Sequence, residues 1–391
     1  MSAPLPRRAP QAATSFRWKR ANVWLGKGIP LLLLVFAWKG WELVLYRIIP
    51  DIAASRPRGA ILYAVIMHAA LAMTLVSYFK VYLHSRRPPD AKEPPKPVRA
   101  KRIVYACDED GEPLRCYRDS CGGAWQALRT RHCRDCGTCR PVFDHHCAFM
   151  DNCIDAETHK AFFCFVCYAA VVVGLGLGPL LPQQWRALRT VVGLTWSSET
   201  MSEEWWRRWY SWLGGPVWRY AGGVLLGYRQ YARLHEWPPP NKLTLATPSL
   251  ATLAITFSAC MIVVIAISMI IVILRNAAKG LSTVQIERAR IYRARQKRAA
   301  AGIRSLRPHE ARLRVYIPPK EESSVIRTDT TLLVEPDIPL FDFGWRENLR
   351  RAFGFHAREW FNPWQPGRHS DLDQNPKVVA ELRARASKQT S

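Results

Sequence analysis

The chain has 391 residues, a formal net charge of +25 and a hydrophobic fraction of 49%. This length suits one large unit or two to three modules, and the composition fits either a soluble or a membrane protein. The distribution of the charge argues against a nucleic-acid partner, because the basic residues flank long apolar blocks, where anionic lipids account for them.

Four apolar blocks are each close to the roughly 20 residues that a helix needs to cross a bilayer. They cover about 29–49, 60–83, 162–181 and 250–274. The last block, LATLAITFSACMIVVIAISMIIVIL, carries no charge, so a buried helix of a soluble core explains it poorly. The first contains Lys39 and Glu42, which are spaced to pair on one helical face, and we interpret it as a span as well.

The basic residues also predict the topology. Residues 1–28 are basic, contain no acidic residue and show no cleavable signal peptide, which places them in the cytosol by the positive-inside rule. Four crossings then return the C-terminus to the cytosol and leave the segment between spans two and three on the same side. The loop 182–249 faces the lumen or exterior. Its tryptophan-rich stretch 205–218 is interpreted as an interfacial amphipathic helix.

Cysteines are concentrated in one segment, with eight of the eleven between Cys107 and Cys153. Thiols stay reduced in the cytosol, so disulfides are a poor explanation. Thiolates grouped with histidines at short spacing indicate zinc, which takes four sulfur and nitrogen ligands in a tetrahedron. The candidates suffice for two closed sites of three cysteines and one histidine, and they are Cys116, Cys121, His132, Cys133, Cys136, Cys139, His146 and Cys153.

Residues 144–153, DHHCAFMDNC, contain more than metal ligands. Closing two zinc sites uses His146 and leaves Asp144, His145 and Cys147. A cysteine attacks as the thiolate, and a neighbouring histidine that a carboxylate orients can accept its proton. These three residues therefore form a candidate nucleophile with its base. The spacing alone leaves open the alternative that His145 or Cys147 is itself a metal ligand.

The stretch His132–Phe162 resembles the cysteine-rich domain of the DHHC protein S-acyltransferases, the palmitoyltransferases. The four-span arrangement, with this domain in the second cytosolic segment, is similar too. The resemblance implies that Cys147 accepts the acyl group, that His145 is its base and that Asp144 orients the base. It also implies the zinc partition, with Cys116, Cys121, His132 and Cys139 in one site and Cys133, Cys136, His146 and Cys153 in the other.

Two weaker motifs extend the resemblance. GLSTVQIE, residues 280–287, resembles the family's threonine-threonine-x-glutamate segment, with Thr283 as the better match. PLFDFGWRENLRRAFG, residues 339–354, resembles the C-terminal signature of fungal members, in which Asn348 corresponds to an asparagine with buried polar contacts near the membrane. The second motif indicates a fungal member of the family.

The chain also departs from the family pattern. Four residues separate Cys116 from Cys121, where the family usually has two, and Cys107 is an alternative ligand for this reason. Asp155 and Thr158 replace a glycine and an asparagine. None of these departures removes the catalytic set.

The function that the resemblance implies is a two-step thioester exchange. A long-chain acyl-CoA such as palmitoyl-CoA would acylate Cys147, and an accessible cysteine of a substrate protein at the cytosolic face would then collect the acyl group. Arg115, Arg129 and Arg131 are candidates for the CoA phosphates, with solvated loop charge as the alternative for each. The rival function is a non-catalytic, zinc-stapled membrane scaffold, which would not need the set of Asp144, His145 and Cys147.

The sequence therefore predicts an all-α polytopic membrane protein with four transmembrane helices and a small zinc-stapled cytosolic cysteine-rich domain between spans two and three. The predicted order is a basic N-terminus (1–28), spans one and two (29–83), a proline-rich linker with the cysteine-rich domain (84–160), span three (161–181), the tryptophan-rich loop (182–249), span four (250–274) and a basic C-terminal region (275–391).

Overall fold

The structure is a computed structural model that describes residues 28, 31–32, 34–85, 93–234, 247–302, 313–318, 331–368, 370 and 372–390. Most of the basic N-terminus, the start of the first predicted span and the first half of the proline-rich linker lie outside the described residues. The chain divides into two compact units, which we describe separately. Among the described residues, the first contains those within 75–165 and 270–390, and the second contains those within 31–74 and 166–269.

The described helices, in chain order, are α1 Ile49–Ser55, α2 Pro57–Tyr82, α3 Lys96–Arg99, α4 His159–Ser197, α5 Gly215–Leu234, α6 Leu250–Ala278, α7 Thr283–Ala300, α8 Trp345–Phe353, α9 Ala357–Trp360 and α10 Pro376–Thr390, with a further short helix at Glu199–Met201. The strands are β1 Tyr105–Ala106, β2 Arg131–Cys133, β3 Thr138–Arg140, β4 His145–Cys147, β5 Asn152–Ile154, β6 Leu313–Tyr316 and β7 Thr331–Val334.

Three helices of the described chain, α2, α4 and α6, are long and apolar enough to cross a membrane. They correspond to the second, third and fourth predicted spans, with α2 ending one residue before the predicted end of the second. The first predicted span is not among them. Residues 34–43 are helical, and a π-helical turn, Val44–Ile48, leads into α1. Pro50 near the start of α1 has no N–H to donate, which favours an irregular turn at this point. Three candidate spans are therefore established, and the fourth is not.

The second unit has a buried apolar cluster of its own. Its buried cluster includes Leu43, Ile48, Met67 and Leu180, and the Tyr63 hydroxyl donates to the carbonyl of Leu175 at 3.1 Å. The helix α4 runs to Ser197, so much of the predicted loop 182–249 is helical.

The tryptophan-rich stretch 205–218 is not the single helix that we predicted. It contains the end of a π-helical turn, a 3-10 turn at Trp209–Trp212, and only the start of α5. Gly215 has φ +72, which breaks the helical path. The indole rings of Trp205 and Trp206 then pack directly over Gly222 and Gly223 of α5, where no Cβ would fit.

The first unit is not all-α, which corrects the predicted fold class to mostly helical. Two hairpins, β2–β3 and β4–β5, lie in the cysteine-rich segment. A three-stranded antiparallel sheet has the order β1-β6-β7, so it joins this segment to the C-terminal region. Its apolar core includes Val104, Val315, Leu332 and, from α10, Leu382. The C-terminal region is therefore part of the same folded unit as the cysteine-rich segment.

The aromatic segment Glu359–Trp364 is docked against the ends of two candidate spans. The Cys164 thiol donates to the carbonyl of Trp360 at 3.4 Å, and the Lys80 ammonium donates to the carbonyl of Trp364 at 2.8 Å. The rings of Phe163 and Phe361 stack with their centroids 6.3 Å apart.

Candidate active site and metal centres

The two hairpins each place a histidine directly opposite a cysteine. In β2–β3, His132 pairs with Cys139, and in β4–β5, His146 pairs with Cys153. Successive side chains of a strand point to opposite faces, so the next residue along β2, Cys133, points away from His132. The same alternation separates His146 from its neighbours on β4.

Two further cysteines complete each pair. The structure forms one group from Cys116, Cys121, His132 and Cys139 and another from Cys133, Cys136, His146 and Cys153, with the ligand atoms of each group within 4.8 Å of one another. Both groups could hold a metal ion. Cys107, the alternative ligand, belongs to neither group and instead packs in a separate buried cluster with Tyr105 and Tyr316.

The distances within the groups fit a tetrahedral ion. With sulfur and nitrogen at about 2.3 and 2.0 Å from the metal, the sulfur–nitrogen edges of a tetrahedron are about 3.5 Å and the sulfur–sulfur edges about 3.8 Å. The Nδ1 atom of His146 is 3.6 Å from Sγ of Cys133 and 3.5 Å from Sγ of Cys136. In the other group, Sγ of Cys121 is 3.7 Å from Sγ of Cys139. The donor atoms are therefore already spaced for a metal ion.

The candidate catalytic residues lie beside these ligands on β4. His145 and Cys147 flank His146 and share the face of the strand opposite to it. Nδ1 of His145 is 2.8 Å from Oδ2 of Asp144. An ionised carboxylate only accepts hydrogen bonds, so Nδ1 is the donor and Nε2 remains for the thiol. The Cys147 side chain is buried, which shields it from bulk water.

Electrostatics favour an ion pair between Asp144 and His145. Their side chains are 13% and 35% exposed. Burial opposes the charged imidazolium, but the hydrogen bonds to Asp144 and Cys147 and the charges of both outweigh it and raise the pKa of His145 to about 9. Burial likewise opposes the Asp144 carboxylate, and the donors around it, led by His145, outweigh burial and lower the pKa of Asp144.

Thr283 holds the other side of the same carboxylate. Its backbone N–H donates to Oδ1 of Asp144 at 2.6 Å, and its hydroxyl donates to Oδ2 at 3.0 Å. Thr283 is the first residue of α7, and a capping box between Ser282 and Gln285 fixes this turn. The amide of Asn276 donates to the Thr283 hydroxyl at 3.2 Å. The threonine motif singled out Thr283, but nothing in the sequence indicated its contact with a residue 139 positions away.

Asn348 fastens the link between α6 and α7. Its amide donates to the carbonyl of Ala278 at 2.9 Å, and its own carbonyl oxygen accepts from the backbone N–H of Phe343 at 2.9 Å. Gly280 has φ +63, and a Cβ there would lie 2.5 Å from the carbonyl oxygen of Phe341. The C-terminal motif thereby positions Thr283 through the loop that precedes it.

The three arginines proposed for CoA are placed differently from one another. Arg115 is exposed and donates to the carbonyl of Gly123 at 3.0 Å. Arg131 donates to the carbonyl of Thr130 at 2.6 Å. Arg129 is buried, with its guanidinium 3.9 Å above the ring of Phe341. Of the three, only Arg129 lines the pocket, mapped on the described residues, that includes Asp144.

Residues 115–289 match the family model described as DHHC palmitoyltransferase. Similar curated proteins include "Probable protein S-acyltransferase 15" of Arabidopsis thaliana, which is 48% identical over 48 residues, covering 12% of this chain and 19% of the relative. "Palmitoyltransferase spe-10" of Caenorhabditis elegans is 31% identical over 99 residues, covering 25% and 26%. "Palmitoyltransferase ZDHHC15" of Xenopus laevis is 25% identical over 166 residues, covering 36% and 46%. The chain thus spans less than half the length of each of these relatives.

Proposed function

Because the chain carries a domain of the DHHC palmitoyltransferase family, we propose that it is a protein S-acyltransferase that moves a long-chain acyl group from acyl-CoA to cysteine thiols of other proteins. The observation that carries the proposal is the contact of Asp144 with His145. His145 lies two residues before the buried Cys147 on β4, so the side chains of these two residues share one face of the strand. A carboxylate, an imidazole and a thiol in this order form an activated nucleophile.

In the first step, the Cys147 sulfur attacks the carbonyl carbon of the acyl-CoA thioester. The proton of Cys147 is held on Nε2 of His145, whose pKa is raised to about 9, and Asp144 stays ionised and stabilises this imidazolium through Nδ1. The carbon–sulfur bond to CoA then breaks. The imidazolium returns the proton to the departing sulfur, so that CoA leaves as the free thiol and Cys147 carries the acyl group as a thioester.

The second step repeats this chemistry with a new thiol. A cysteine of the substrate protein gives its proton to His145, and its sulfur attacks the Cys147 thioester. Cys147 leaves as the thiolate and is reprotonated by His145. One thioester is exchanged for another in each step, so the reaction needs no external energy source, and the same three side chains serve both halves.

The two cysteine–histidine groups would stabilise the segment that carries this site. Their donor sets of three sulfurs and one nitrogen would hold two structural zinc ions, which supply folding free energy to a module with little apolar core. Because His146 alternates with His145 and Cys147 along β4, fixing His146 also fixes the faces on which the other two lie.

The three candidate spans suit a lipid donor, because apolar helices can hold an acyl chain while its thioester stays at their ends. We place the cysteine-rich segment and both termini in the cytosol, following the charge distribution. Arg115, Arg129 and Arg131 are proposed to contact the CoA phosphates, and of the three Arg129 lines the pocket that includes Asp144.

A transfer assay tests the proposal against the scaffold alternative. Purified protein in detergent is mixed with palmitoyl-CoA and a peptide that carries one cysteine beside an apolar segment. We expect free CoA thiol and acylated peptide to form in equal amounts, and neither to form with Cys147→Ala or His145→Ala. A zinc-loaded wild type that releases no CoA would instead favour the scaffold.

A further inference from the structure

Arg140 is an arginine with 0% exposure, at the end of β3 next to the metal-group residue Cys139. Its guanidinium donates to Oδ2 of Asp155 at 3.2 Å and to Oδ1 of Asn152 at 3.5 Å. Its Nε atom has no hydrogen-bond partner among the described residues. Removing a charge from water is costly, so a side chain that only filled space here would not need to be an arginine.

Asp155, the first partner, caps the start of the candidate span α4. Its Oδ1 accepts from the backbone N–H groups of Glu157 and Thr158 at 3.1 and 3.3 Å. The Thr158 hydroxyl donates to the same oxygen at 3.1 Å. Asp155 is 2% exposed, so its charge is compensated inside the protein, mainly by Arg140. These contacts explain why aspartate and threonine stand here in place of the family's glycine and asparagine.

Asn152, the second partner, caps the end of the candidate span α2. Its amide donates to the carbonyl of Val81 at 2.9 Å and to the carbonyl of His84 at 2.8 Å. The last carbonyls of a helix have no partner within the helix, so a buried amide satisfies them well. Asn152 is also the residue of β5 that pairs with Cys147 across the hairpin. Asn152 thus contacts the end of α2 through its side chain and pairs with the nucleophile's position through its backbone.

From these contacts we propose that Arg140 is a positioning residue for Cys147. Its guanidinium binds both Asp155, which caps α4, and Asn152, which caps α2. These contacts fix the strand that carries the nucleophile relative to the ends of two candidate spans. All of these residues belong to the first compact unit. The inference rests on the proposed function, because position matters only if Cys147 receives an acyl chain held among those helices.

This arrangement predicts that Arg140 influences which length of acyl chain is transferred fastest to Cys147. In the proposed function the acyl chain would lie against the apolar candidate spans, while its carbonyl must reach the Cys147 sulfur. Displacing the strand along the helix axes changes how many methylene groups fit, which alters the preferred chain length. A residue that contributed only to folding stability would change the amount of folded protein and leave this preference unchanged.

The test uses the full-length protein and the variant Arg140→Lys, which keeps the charge and loses the two-pronged fork. Initial rates of Cys147 acylation are measured with acyl-CoA donors of increasing chain length, and zinc content and melting temperature are measured on the same samples. Arg102→Lys, at an exposed position, is the matched control. We expect Arg140→Lys to lose at least tenfold in rate with palmitoyl-CoA and to change the ratio of rates between donors.

A second variant separates positioning from charge compensation. Arg140→Met with Asp155→Asn removes both charges and keeps an acceptor at the α4 cap. We expect this pair to keep zinc and to fold, but still to show the altered chain-length ratio, because the link to Asn152 is lost. Wild-type rates and ratios in both folded variants would overturn the inference. A wild type that takes no acyl group at all would instead overturn the proposed function.

Discussion

Removing the Thr283 hydroxyl should slow acylation of Cys147 without unfolding the protein. In Thr283→Val the branched side chain keeps its shape, and the backbone N–H still donates to Oδ1 of Asp144 at 2.6 Å. The lost contact is the hydroxyl bond to Oδ2 at 3.0 Å, on the oxygen that also accepts from His145. The carboxylate is therefore left less firmly oriented towards the imidazole.

The charge and the burial of Asp144 set the size of the expected decrease in rate. A hydrogen bond to a charged group contributes about 1.5–3 kcal/mol, and the lower end applies where other donors remain. Asp144 is only 13% exposed, so water cannot replace the hydroxyl fully. If the loss falls on the transition state, a change of about 1.5 kcal/mol corresponds to roughly a tenfold lower rate.

The assay is single-turnover acylation of the detergent-purified protein by labelled palmitoyl-CoA. Thr283→Ser keeps the hydroxyl and is the matched control, with an expected rate within about threefold of wild type. Zinc content should be unchanged in both variants, because Thr283 contacts neither metal group. A Thr283→Val rate within twofold of wild type would refute a catalytic role for this contact.

Three further outcomes follow from the same contacts. Chelation of the metal should abolish acylation and make Cys147 accessible to alkylation, as mass spectrometry of the labelled thiol would show; retained acylation in zinc-free protein would contradict this. Gly280→Ala should lower the free energy of unfolding by about 2 kcal/mol or more, because φ +63 is unfavourable with a side chain and the Cβ meets the carbonyl of Phe341. Asp144 raises the pKa of His145 to about 9. The variant Asp144→Asn should therefore shift the pH midpoint of the acylation rate downwards and lower the maximum rate. An unchanged midpoint would exclude this coupling between Asp144 and His145.

Stability should depend on pH through the same pair. The folded-state pKa of His145 is raised, so its contribution is fully present below the ordinary histidine value of about 6.5 and is lost as pH rises through about 9. The pKa of Asp144 is lowered, so its contribution is present above the ordinary aspartate value and is lost as pH falls through the folded value.

Much of the fold could be predicted from local patterns in the sequence. Uniform apolarity located three candidate spans, and the short spacing of cysteines and histidines grouped the eight side chains that lie together in the structure. Both signals are local. The third predicted span ended at residue 181, where the apolar block ends, whereas the helix α4 continues through both Pro179 and Pro182 to Ser197.

Contacts between segments that are far apart in the chain could not be predicted from the sequence. The sheet β1-β6-β7 joins segments separated by more than 200 residues in the chain, and the strands are too short to show a clear alternation. The Asp144–Thr283 contact and the link from Arg140 to the ends of two helices likewise depend on tertiary packing. Single-residue patterns do not encode such partners, although the threonine motif and the substitution at Asp155 marked the positions involved.

The most direct test of the central claim is the chemical nature of the bond at Cys147. Wild-type protein and Cys147→Ala are incubated with labelled palmitoyl-CoA, treated with neutral hydroxylamine, and analysed by peptide mass spectrometry. The account predicts label on the peptide that contains Cys147, released by hydroxylamine as a thioester is, and none in the variant. Zinc-loaded, folded wild type without label, or equal label in Cys147→Ala, would contradict it.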